Sequence, residues 1–230
     1  MIGYATRLRR RLMEALGSDR YSHLALNELD RKLKRYLDVE GGFFLEAGAN
    51  DGLSQSNSYW FEAFRNWCGV LVEGVPELAR ECAKNRPRAK VFHAALVADD
   101  ATTQVTMKTA HLMSLVAGAF GSEAADRSHV EQGIAVQKLG AGAAREIRVP
   151  ARTLTSILAE VRPARFDLLS LDVEGYEVQA LKGLDLDRFC PRYILVEARS
   201  PPDVERLLAS RYDHVDQLSH HDHLFAARPC

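Results

Sequence analysis

From Phe43 onward the sequence alternates short apolar runs with amphipathic segments, and this alternation restricts the possible folds more than any other feature. The runs GFFLEAG, GVLVEG and KVFHAAL are separated by segments with apolar residues at helical spacing, such as Trp60, Phe64 and Trp67. FDLLSLDVEG and RYILVEAR continue the pattern later in the chain. Strands that alternate with helices predict a mostly parallel sheet covered on both faces. Both tryptophans are expected in the core.

The alternation divides the chain into two parts. Residues 1–40 are expected to form an N-terminal helical extension of two helices, the second with leucines at helical spacing from 26 to 37. Residues 41–230 are expected to form one α/β domain, with an insertion near 109–148 that is rich in Ala, Gly and Ser. That insertion is too long for an ordinary connection, so we interpret it as either a substrate-contacting segment or a mobile insertion. The last segment predicts two strands joined by a turn.

The charge distribution gives no general attraction to nucleic acid. The formal net charge is −1, and basic and aromatic residues are not interleaved as in nucleic-acid-binding proteins. A local basic cluster consists of Arg7, Arg9, Arg10 and Arg11. We expect this cluster to be the solvated face of a helix, and we expect no nucleic-acid partner.

Cysteine spacing and hydropathy favour a cytoplasmic protein. Cys68, Cys82, Cys190 and Cys230 form neither a disulfide framework nor a zinc motif, which fits a reducing compartment. No stretch looks like a signal peptide, and no run approaches the roughly 18 apolar residues of a membrane span. We therefore expect no membrane span.

The residues that follow the first predicted strand favour a ligand-binding loop. Ligands in open α/β sheets bind beyond the carboxyl ends of the strands, and LEAGANDG occupies that position. Glycine permits a sharp turn and a close approach of the backbone to a ligand, and here Gly48 and Gly52 follow Glu46. The spacing matches neither GxGxxG nor GxxxxGK[ST], so a ligand without phosphate is favoured.

Several motifs resemble, in the same order, those of the FkbM family of S-adenosylmethionine-dependent methyltransferases. They lie between about residues 43 and 199 and include LEAGANDGLSQSN, GVLVEG, HAAL, LLSLDVEGYEVQALKG and YILVEAR. The most distinctive is LDVEGYE after a buried strand. The resemblance implies a Rossmann-like class I methyltransferase fold: a three-layer sandwich around a mostly parallel seven-stranded sheet with an antiparallel C-terminal strand. It also implies S-adenosylmethionine as methyl donor and an oxygen of a natural product or glycan as acceptor.

The resemblance also assigns roles to individual residues. The expected cofactor-binding residues are Glu46, Gly48, Asn50 and Gly52 in the loop around the methionine portion, Glu73 at the ribose, and Ala94 and Ala95 beside the adenine. Asp172 and Glu174 would face the reaction centre. The sequence departs from the family pattern at Gly74 and Val75, where proline and asparagine are frequent, and at Thr155, where aspartate is frequent.

The expected chemistry leaves several alternatives open. Methyl transfer to a hydroxyl requires alignment, exclusion of water and removal of a proton, which a carboxylate with a raised pKa could accept. Asp172 or Glu174 could serve, although Glu174 could instead cap the helix that begins at residue 175 or 176. Asp172 and Glu197 could alternatively hold Mg²⁺, which is disfavoured because no third protein ligand is evident.

Two further alternatives concern the histidines and the function as a whole. His220, His221 and His223 could include a catalytic or metal-binding residue, but short histidine clusters in turns are more often incidental. The main functional prediction is an O-methyltransferase acting on a small molecule or glycan. The alternative is a non-catalytic module that binds the cofactor and serves the assembly of a biosynthetic complex. Retention of both carboxylates, at 172 and 174, favours the enzyme.

Overall fold

The computed structural model describes residues 4–140 and 144–228; Cys230, one of the cysteines considered above, lies outside these ranges. The α-helices are α1 (Tyr4–Ala15), α2 (Leu29–Leu33), α3 (Tyr59–Phe64), α4 (Pro76–Asn85), α5 (Glu123–Gln137), α6 (Leu154–Val161), α7 (Glu177–Lys182) and α8 (Pro201–Leu208). Short 3₁₀ helices span Leu26–Glu28 and His111–Met113. The strands are β1 (Phe43–Ala47), β2 (Cys68–Glu73), β3 (Lys90–His93), β4 (Ala95–Leu96), β5 (Gln104–Lys108), β6 (Leu115–Val116), β7 (Glu146–Arg152), β8 (Leu168–Leu171), β9 (Tyr193–Glu197), β10 (Tyr212–Gln217) and β11 (Asp222–Ala227).

The main sheet has seven strands among the described residues, in the order β10-β11-β9-β8-β1-β2-β3. The five strands from β9 to β3 are parallel, and β11 is antiparallel to both of its neighbours. All five residues of β1 are buried, which requires layers on both faces of the sheet. The predicted mostly parallel sheet with an antiparallel C-terminal strand is confirmed.

Side chains alternate along β1 between two apolar cores. Leu45 packs with residues of α6, α7 and α8 on one face, whereas Phe44 packs with residues of α2, α3 and α4 on the other. Alternation with period two is the geometry of a strand covered on both faces. The two cores and the sheet between them make the three layers of the predicted sandwich.

Both tryptophans lie in the core, but they do not share a helix as their spacing predicted. Trp60 is on α3, but the helix ends at Phe64, and Asn66 has a left-handed φ of 52°. Trp67 therefore lies beyond the helix, fully buried, and its Nε1 donates a hydrogen bond to the Val39 carbonyl at 2.9 Å. The prediction of burial was right and the prediction of a shared helical face was wrong.

A second, four-stranded sheet, ordered β4-β7-β5-β6, was not predicted. The run KVFHAAL, predicted as one strand, divides between the two sheets: β3 ends at His93 in the main sheet and β4 pairs with β7 in the small one. The segment near 109–148 contains β6, α5 and the beginning of β7 in its described part, rather than an extended loop. Met107 and Val149 form part of a small core beneath this sheet.

The N-terminal extension is less helical than predicted. Asn27 and Glu28 have left-handed φ values of 52° and 57°, which interrupt the leucine pattern, so α2 begins only at Leu29. Leu29 and Leu33 are buried, whereas Leu26 is exposed. The single helix expected through these leucines is therefore shortened to one turn and a half.

The arginine cluster of α1 does not form a wholly solvated face. Arg10 is buried and lies 3.3 Å from a carboxylate oxygen of Glu14, and Arg7 pairs with buried Asp51 at 3.0 Å. Glu14 belongs to the same helix and Asp51 to the loop after β1, and both carboxylates draw arginines toward the inward side of α1. Arg9 and Arg11 are exposed, as predicted.

Candidate active site

A cavity of about 850 Å³ opens beyond the carboxyl ends of β1, β2 and β8. Of the residues predicted for the site, the cavity is lined by Glu46, Gly48, Asn50, Glu73, Ala94, Ala95, Asp172 and Glu174. The structure therefore brings together residues that are as much as 128 positions apart in the chain. Gly52 is not among the lining residues.

Gly48 lies where the β1 loop touches the end of β8. Its φ is +80°, and a Cβ atom there would lie 1.8 Å from the backbone oxygen of Asp172. Only glycine tolerates both the conformation and the contact. The Gly48 N–H donates to the Val72 carbonyl at 3.0 Å, so the loop is also fastened to β2.

Gly52 supports the loop from behind. Its φ is +78°, and a Cβ atom would lie 2.8 Å from the Arg86 side chain and 3.0 Å from the Cys82 sulfur. The carbonyl of Gly52 accepts a hydrogen bond from Arg86 Nη1 at 3.0 Å. The need for glycine here is explained by packing against α4 and the residue after it.

Glu46 organises the chain segment that leads into α3. Its Oε1 accepts a hydrogen bond from the backbone N–H of Asn57 at 2.7 Å. Its Oε2 accepts from the hydroxyl of Ser56 at 2.9 Å and from that of Ser58. The buried carboxylate thus fixes three consecutive positions at the start of the helix.

Arg86 completes this network and was missed by the sequence analysis. Its side chain is fully buried, and it donates to the hydroxyls of Ser56 and Ser58, each at 3.0 Å. It also pairs with Glu62 at 3.0 Å. A buried cation among carboxylates compensates their charge. No local pattern marks this arginine, because its partners lie 24 to 34 positions earlier.

Glu73 ends β2 and closes the loop on the other side of the cavity. One carboxylate oxygen accepts from the Asn50 N–H and the other from the Val75 N–H, both at 2.7 Å. Burial raises the pKa of Glu73 to about 7, although the backbone donors partly oppose this shift. Asn50 itself has a left-handed φ of 49°, so the loop is held in a tightly turned conformation.

The apolar wall of the cavity follows β3 and continues into the small sheet. Ala94 and Ala95 are buried, and Met107 and Val116 line the cavity beside them. A Cβ atom at Gly74 would lie 2.4 Å from the Met107 sulfur. The small sheet thus accounts for glycine at a position where the family often has proline.

Asp172 and Glu197, at the ends of the adjacent strands β8 and β9, form a carboxyl pair. Asp172 follows Leu171 and Glu197 follows Val196, and Leu171 and Val196 lie opposite each other in the parallel pairing of the strands. Burial and then the Glu197 charge raise the pKa of Asp172 well above its ordinary range. Burial also raises the pKa of Glu197. Two carboxyls in contact share a proton, because both cannot ionise cheaply.

Glu174 connects the loop after β8 to the inserted helix α5. It has a left-handed φ of 53°, and its Oε2 lies 3.1 Å from His129 Nε2 and 3.6 Å from Arg199 Nη2. Phe120 stacks on the His129 ring with centroids 4.7 Å apart. These contacts join the insertion to the reaction end of the cavity.

Glu177, the first residue of α7, holds the turn that leads into the helix, whereas the N-cap position is Tyr176. Its Oε1 accepts hydrogen bonds from the N–H groups of Gly175 at 2.9 Å and Val173 at 3.2 Å. Burial raises the pKa of Glu177 to about 7. The alternative that Glu174 caps this helix is therefore wrong.

Three polar side chains that were not predicted also line the cavity. Asn57 Oδ1, Ser54 Oγ and His111 Nδ1 are buried and have no hydrogen-bond partner among the described residues. The other end of the Asn57 amide is fixed, since Nδ2 donates to Ser170 Oγ at 3.0 Å. Buried polar atoms without partners are costly. Their position indicates that the cavity binds a polar ligand.

The C-terminal histidines lie outside the cavity wall, although the His221 charge acts on Glu197. None of His220, His221 and His223 is among the lining residues, and His223 Nδ1 lies 3.2 Å from His214 Nε2 within the β10–β11 hairpin. Residues 4–140 and 144–228 contain no group of three or more His, Cys, Asp or Glu side chains arranged to hold a metal ion. The Asp172–Glu197 pair therefore lacks further ligands of these types.

The sheet order and the position of the cavity define a class I methyltransferase architecture. The model of the methyltransferase FkbM domain matches residues 46–225, well over half of the chain. The chain belongs to the FkbM family of S-adenosylmethionine-dependent methyltransferases. This confirms the family predicted from the sequence motifs.

Comparison with solved structures gave distant matches. Methyltransferase FkbM from Methylobacillus flagellatus is 11% identical, with a TM-score of 0.47, over 96% of this chain and 60% of that one. A human methyltransferase 10 domain containing protein is 11% identical, with a TM-score of 0.47, over 99% and 98%. A TehB-like SAM-dependent methyltransferase from Corynebacterium glutamicum is 10% identical, with a TM-score of 0.44, over 97% of each chain. No curated protein matched the sequence.

Proposed function

We propose that the protein transfers the methyl group of S-adenosylmethionine to a hydroxyl oxygen of a small molecule or glycan. The observation that carries this proposal is Asp172, which lines the cavity and whose pKa is raised by burial and by the neighbouring Glu197 charge, together with unpartnered polar atoms in the same cavity wall. The pair supplies a proton acceptor, and the unpartnered atoms supply binding groups.

The residues of the β1–β2 side fit the cofactor. We assign Glu46, Gly48 and Asn50 to the methionine portion, and the Glu73 carboxylate to the ribose hydroxyls, for which each of its oxygens retains a lone pair. Gly52 supports this loop without lining the cavity. We add Asn57, whose free Oδ1 can accept a hydrogen bond from the ammonium group of the methionine portion.

The apolar side fits an aromatic base. Ala94 and Ala95 are small and buried, and Met107 lies beside them in the cavity wall. Small side chains leave room for a flat ring, and a thioether makes favourable contacts with aromatic groups. We therefore assign the adenine to this wall.

The carboxyl pair performs the proton transfer in this mechanism. When bound, S-adenosylmethionine supplies an electrophilic methyl carbon. That carbon would accept the acceptor oxygen, and the electron pair of the carbon–sulfur bond would leave with sulfur as S-adenosylhomocysteine. The hydroxyl proton goes to the ionised carboxylate of the Asp172–Glu197 pair, whose raised pKa makes it a stronger base than an exposed carboxylate. Mg²⁺ is not required by this mechanism.

Substitution of Asp172 tests the proposal. Transfer of a labelled methyl group to a panel of hydroxyl-bearing small molecules and glycans identifies an acceptor, and Asp172→Asn is then compared with wild type. We expect kcat to fall by about a hundredfold or more, while binding of S-adenosylhomocysteine is retained. The matched control is Glu131→Gln at an exposed position of α5, which should leave both unchanged.

The result also separates the enzyme from a non-catalytic binding module. Unchanged turnover in Asp172→Asn would remove the carboxyl pair from the mechanism. Cofactor binding without transfer to any acceptor class would favour the module. Loss of activity in a chelator would contradict the metal-free mechanism.

A further inference from the structure

Helix α1 is amphipathic, but it is oriented with its polar side inward. Arg10 is buried against Glu14 and lies over the Tyr59 ring, 4.7 Å from its centroid. Glu14 also accepts hydrogen bonds from the hydroxyls of Ser22 at 2.7 Å and Tyr59 at 2.8 Å. The described side chains on the inward side of α1 therefore attach the helix to the domain through ion pairs and hydrogen bonds.

The outward side of α1 carries leucines. Leu8 is 58% exposed and Leu12 is 61% exposed, and Leu16, just after the helix, is 73% exposed. Residues four apart lie one above another on a helix, so these three side chains form a single line. Exposed leucines on one line are unusual, because amphipathic surface helices normally turn such a line toward the core.

Basic residues border this line of leucines. Each residue rotates the helix by about 100°, so Arg9 and Arg11, both exposed, fall on opposite sides of Leu8. The one acidic residue in the α1 sequence, Glu14, is engaged on the inward side. The outer face of α1, defined as Leu8, Leu12, Leu16, Arg9 and Arg11, is thus apolar at the centre and positive at both edges.

We infer that the outer face of α1 binds the surface of an anionic lipid bilayer. The leucines would enter the region between headgroups and acyl chains, while the arginines remain at the level of anionic headgroups. The helix would lie on the membrane, since no helix in the described parts of the chain is long and apolar enough to cross one. This inference rests on α1 and is independent of the proposed function.

A second copy of the chain fits this face less well. A stable dimer interface requires about 800 Å² from each partner, which three leucine side chains in one line do not supply. Pairing two outer faces would also bring four arginines together without an acidic partner on either helix face. Anionic lipid complements both the apolar line and the positive edges.

Membrane binding would hold the cavity close to the bilayer. Arg7 of α1 pairs with Asp51 at 3.0 Å, and Asp51 follows Asn50, which lines the cavity. The Asp51 charge also acts on His111, another lining residue. The helix therefore lies on the same side of the molecule as the loop that borders the cavity.

Vesicle binding tests the inference directly. Wild-type protein is sedimented with vesicles of phosphatidylcholine alone and with vesicles of phosphatidylcholine and phosphatidylglycerol in equal amounts. We expect binding to the anionic vesicles to exceed binding to the neutral ones by about tenfold or more, and to weaken at high salt. Leu8→Gln with Leu12→Gln should lower the partition coefficient by about tenfold or more.

Two further variants separate charge from apolar contact. Arg9→Gln with Arg11→Gln should remove most of the preference for anionic vesicles, because each arginine contributes roughly a fivefold effect near such a surface. The matched control, Val136→Gln with Arg127→Gln, changes an exposed aliphatic and an exposed basic residue of α5. It should bind vesicles like wild type.

Three outcomes would overturn the inference. The first is that folded wild-type protein does not bind anionic vesicles, and the second is that the leucine variant binds as well as wild type. The third is concentration-dependent dimerisation that the leucine variant abolishes, without vesicle binding. All the altered side chains are exposed, so an unchanged circular dichroism spectrum and unchanged binding of S-adenosylhomocysteine confirm that each variant is folded.

Discussion

The two ends of the cavity hold their carboxylates in opposite ways. On the β1 side, Glu46 and Glu62 are buried beside Arg86, and hydroxyl and backbone donors occupy their oxygens. On the β8–β9 side, burial raises the pKa of both Asp172 and Glu197, and no lysine or arginine among the described residues forms an ion pair with either. At the β1 end the Arg86 cation compensates the negative charge of the carboxylates. At the β8–β9 end a proton bound by the carboxyl pair does so.

This difference suits one cavity to two tasks, the binding of a cofactor and the reaction at a hydroxyl. A network with a buried cation and satisfied oxygens is rigid, which suits the positioning of a cofactor. A carboxyl pair that shares a proton can exchange that proton, which suits chemistry at a hydroxyl. Substitutions at each end of the cavity test this difference.

Removal of the buried cation should have the largest effect. Arg86→Met leaves Glu62 and the Glu46 network without compensation, so we expect the free energy of unfolding to fall by about 4 kcal/mol. Urea denaturation measures it. Arg88→Met is the matched control, because Arg88 is exposed and should cost less than about 1 kcal/mol. Equal losses in the two variants would contradict the role of Arg86.

Substitution of Gly48, where the β1 loop touches the end of β8, should lower the free energy of unfolding slightly less. Gly48→Ala combines a left-handed φ with a Cβ atom 1.8 Å from the Asp172 backbone oxygen, so we expect a loss of about 3 kcal/mol and loss of S-adenosylhomocysteine binding. Gly41→Ala has a φ of +63° with nothing within 4 Å and should lose only about 1 kcal/mol. Thermal unfolding of both variants and a titration of the folded protein measure these effects. Equal stability of the two variants would show that the contact with Asp172 is not tight.

Glu73 should make the free energy of unfolding depend on pH. Its pKa is about 7 in the folded protein against 4.5 ordinarily, so the folded state binds the proton more tightly. The free energy of unfolding should therefore decrease, by up to about 3 kcal/mol, as pH rises from 4.5 to about 7. Glu73→Gln should flatten this slope when denaturation is compared across the window, whereas Glu131→Gln should retain it. A slope that is identical in Glu73→Gln and wild type would contradict the shift.

Glu174 should have the smallest effect, because its side chain contacts His129 and Arg199 and only its charge acts on the carboxyl pair. We expect Glu174→Gln to raise the KM for the acceptor by about tenfold or less with kcat nearly unchanged, since an ion pair of this kind contributes about 1 kcal/mol. A double-mutant cycle with His129→Gln measures the coupling. A large fall in kcat would instead make Glu174 part of the reaction chemistry.

The mostly parallel sheet and part of the cavity wall could be predicted from the sequence. Glycines and acids that follow apolar runs mark strand ends, and parallel strands bring their ends to one edge of the sheet. Glu46 and Gly48 were found in this way, Glu73 and Asp172 were assigned by the family resemblance, and all four line the cavity. Gly52 was grouped with them by spacing, which does not reveal which face of a turn a residue occupies.

The remainder of the site depends on contacts between distant segments. Arg86 lies in the turn after α4 and reaches back to the chain before α3, and Asn57 is oriented by Ser170, 113 positions later. Neither residue has a local signature. The small sheet was missed because β4 and β6 have two residues each, which is too short for a period to be recognised. Burial of Arg10 depends on its packing against Tyr59 of α3.

A calorimetric titration with S-adenosylhomocysteine tests whether the cavity binds the cofactor. The account predicts binding at one site per chain with an affinity in the micromolar range, weakened by about tenfold in Asn57→Leu because a buried acceptor is lost. Folded wild-type protein that binds neither S-adenosylhomocysteine nor S-adenosylmethionine would contradict it, as would binding that Asn57→Leu and Gly48→Ala leave unchanged.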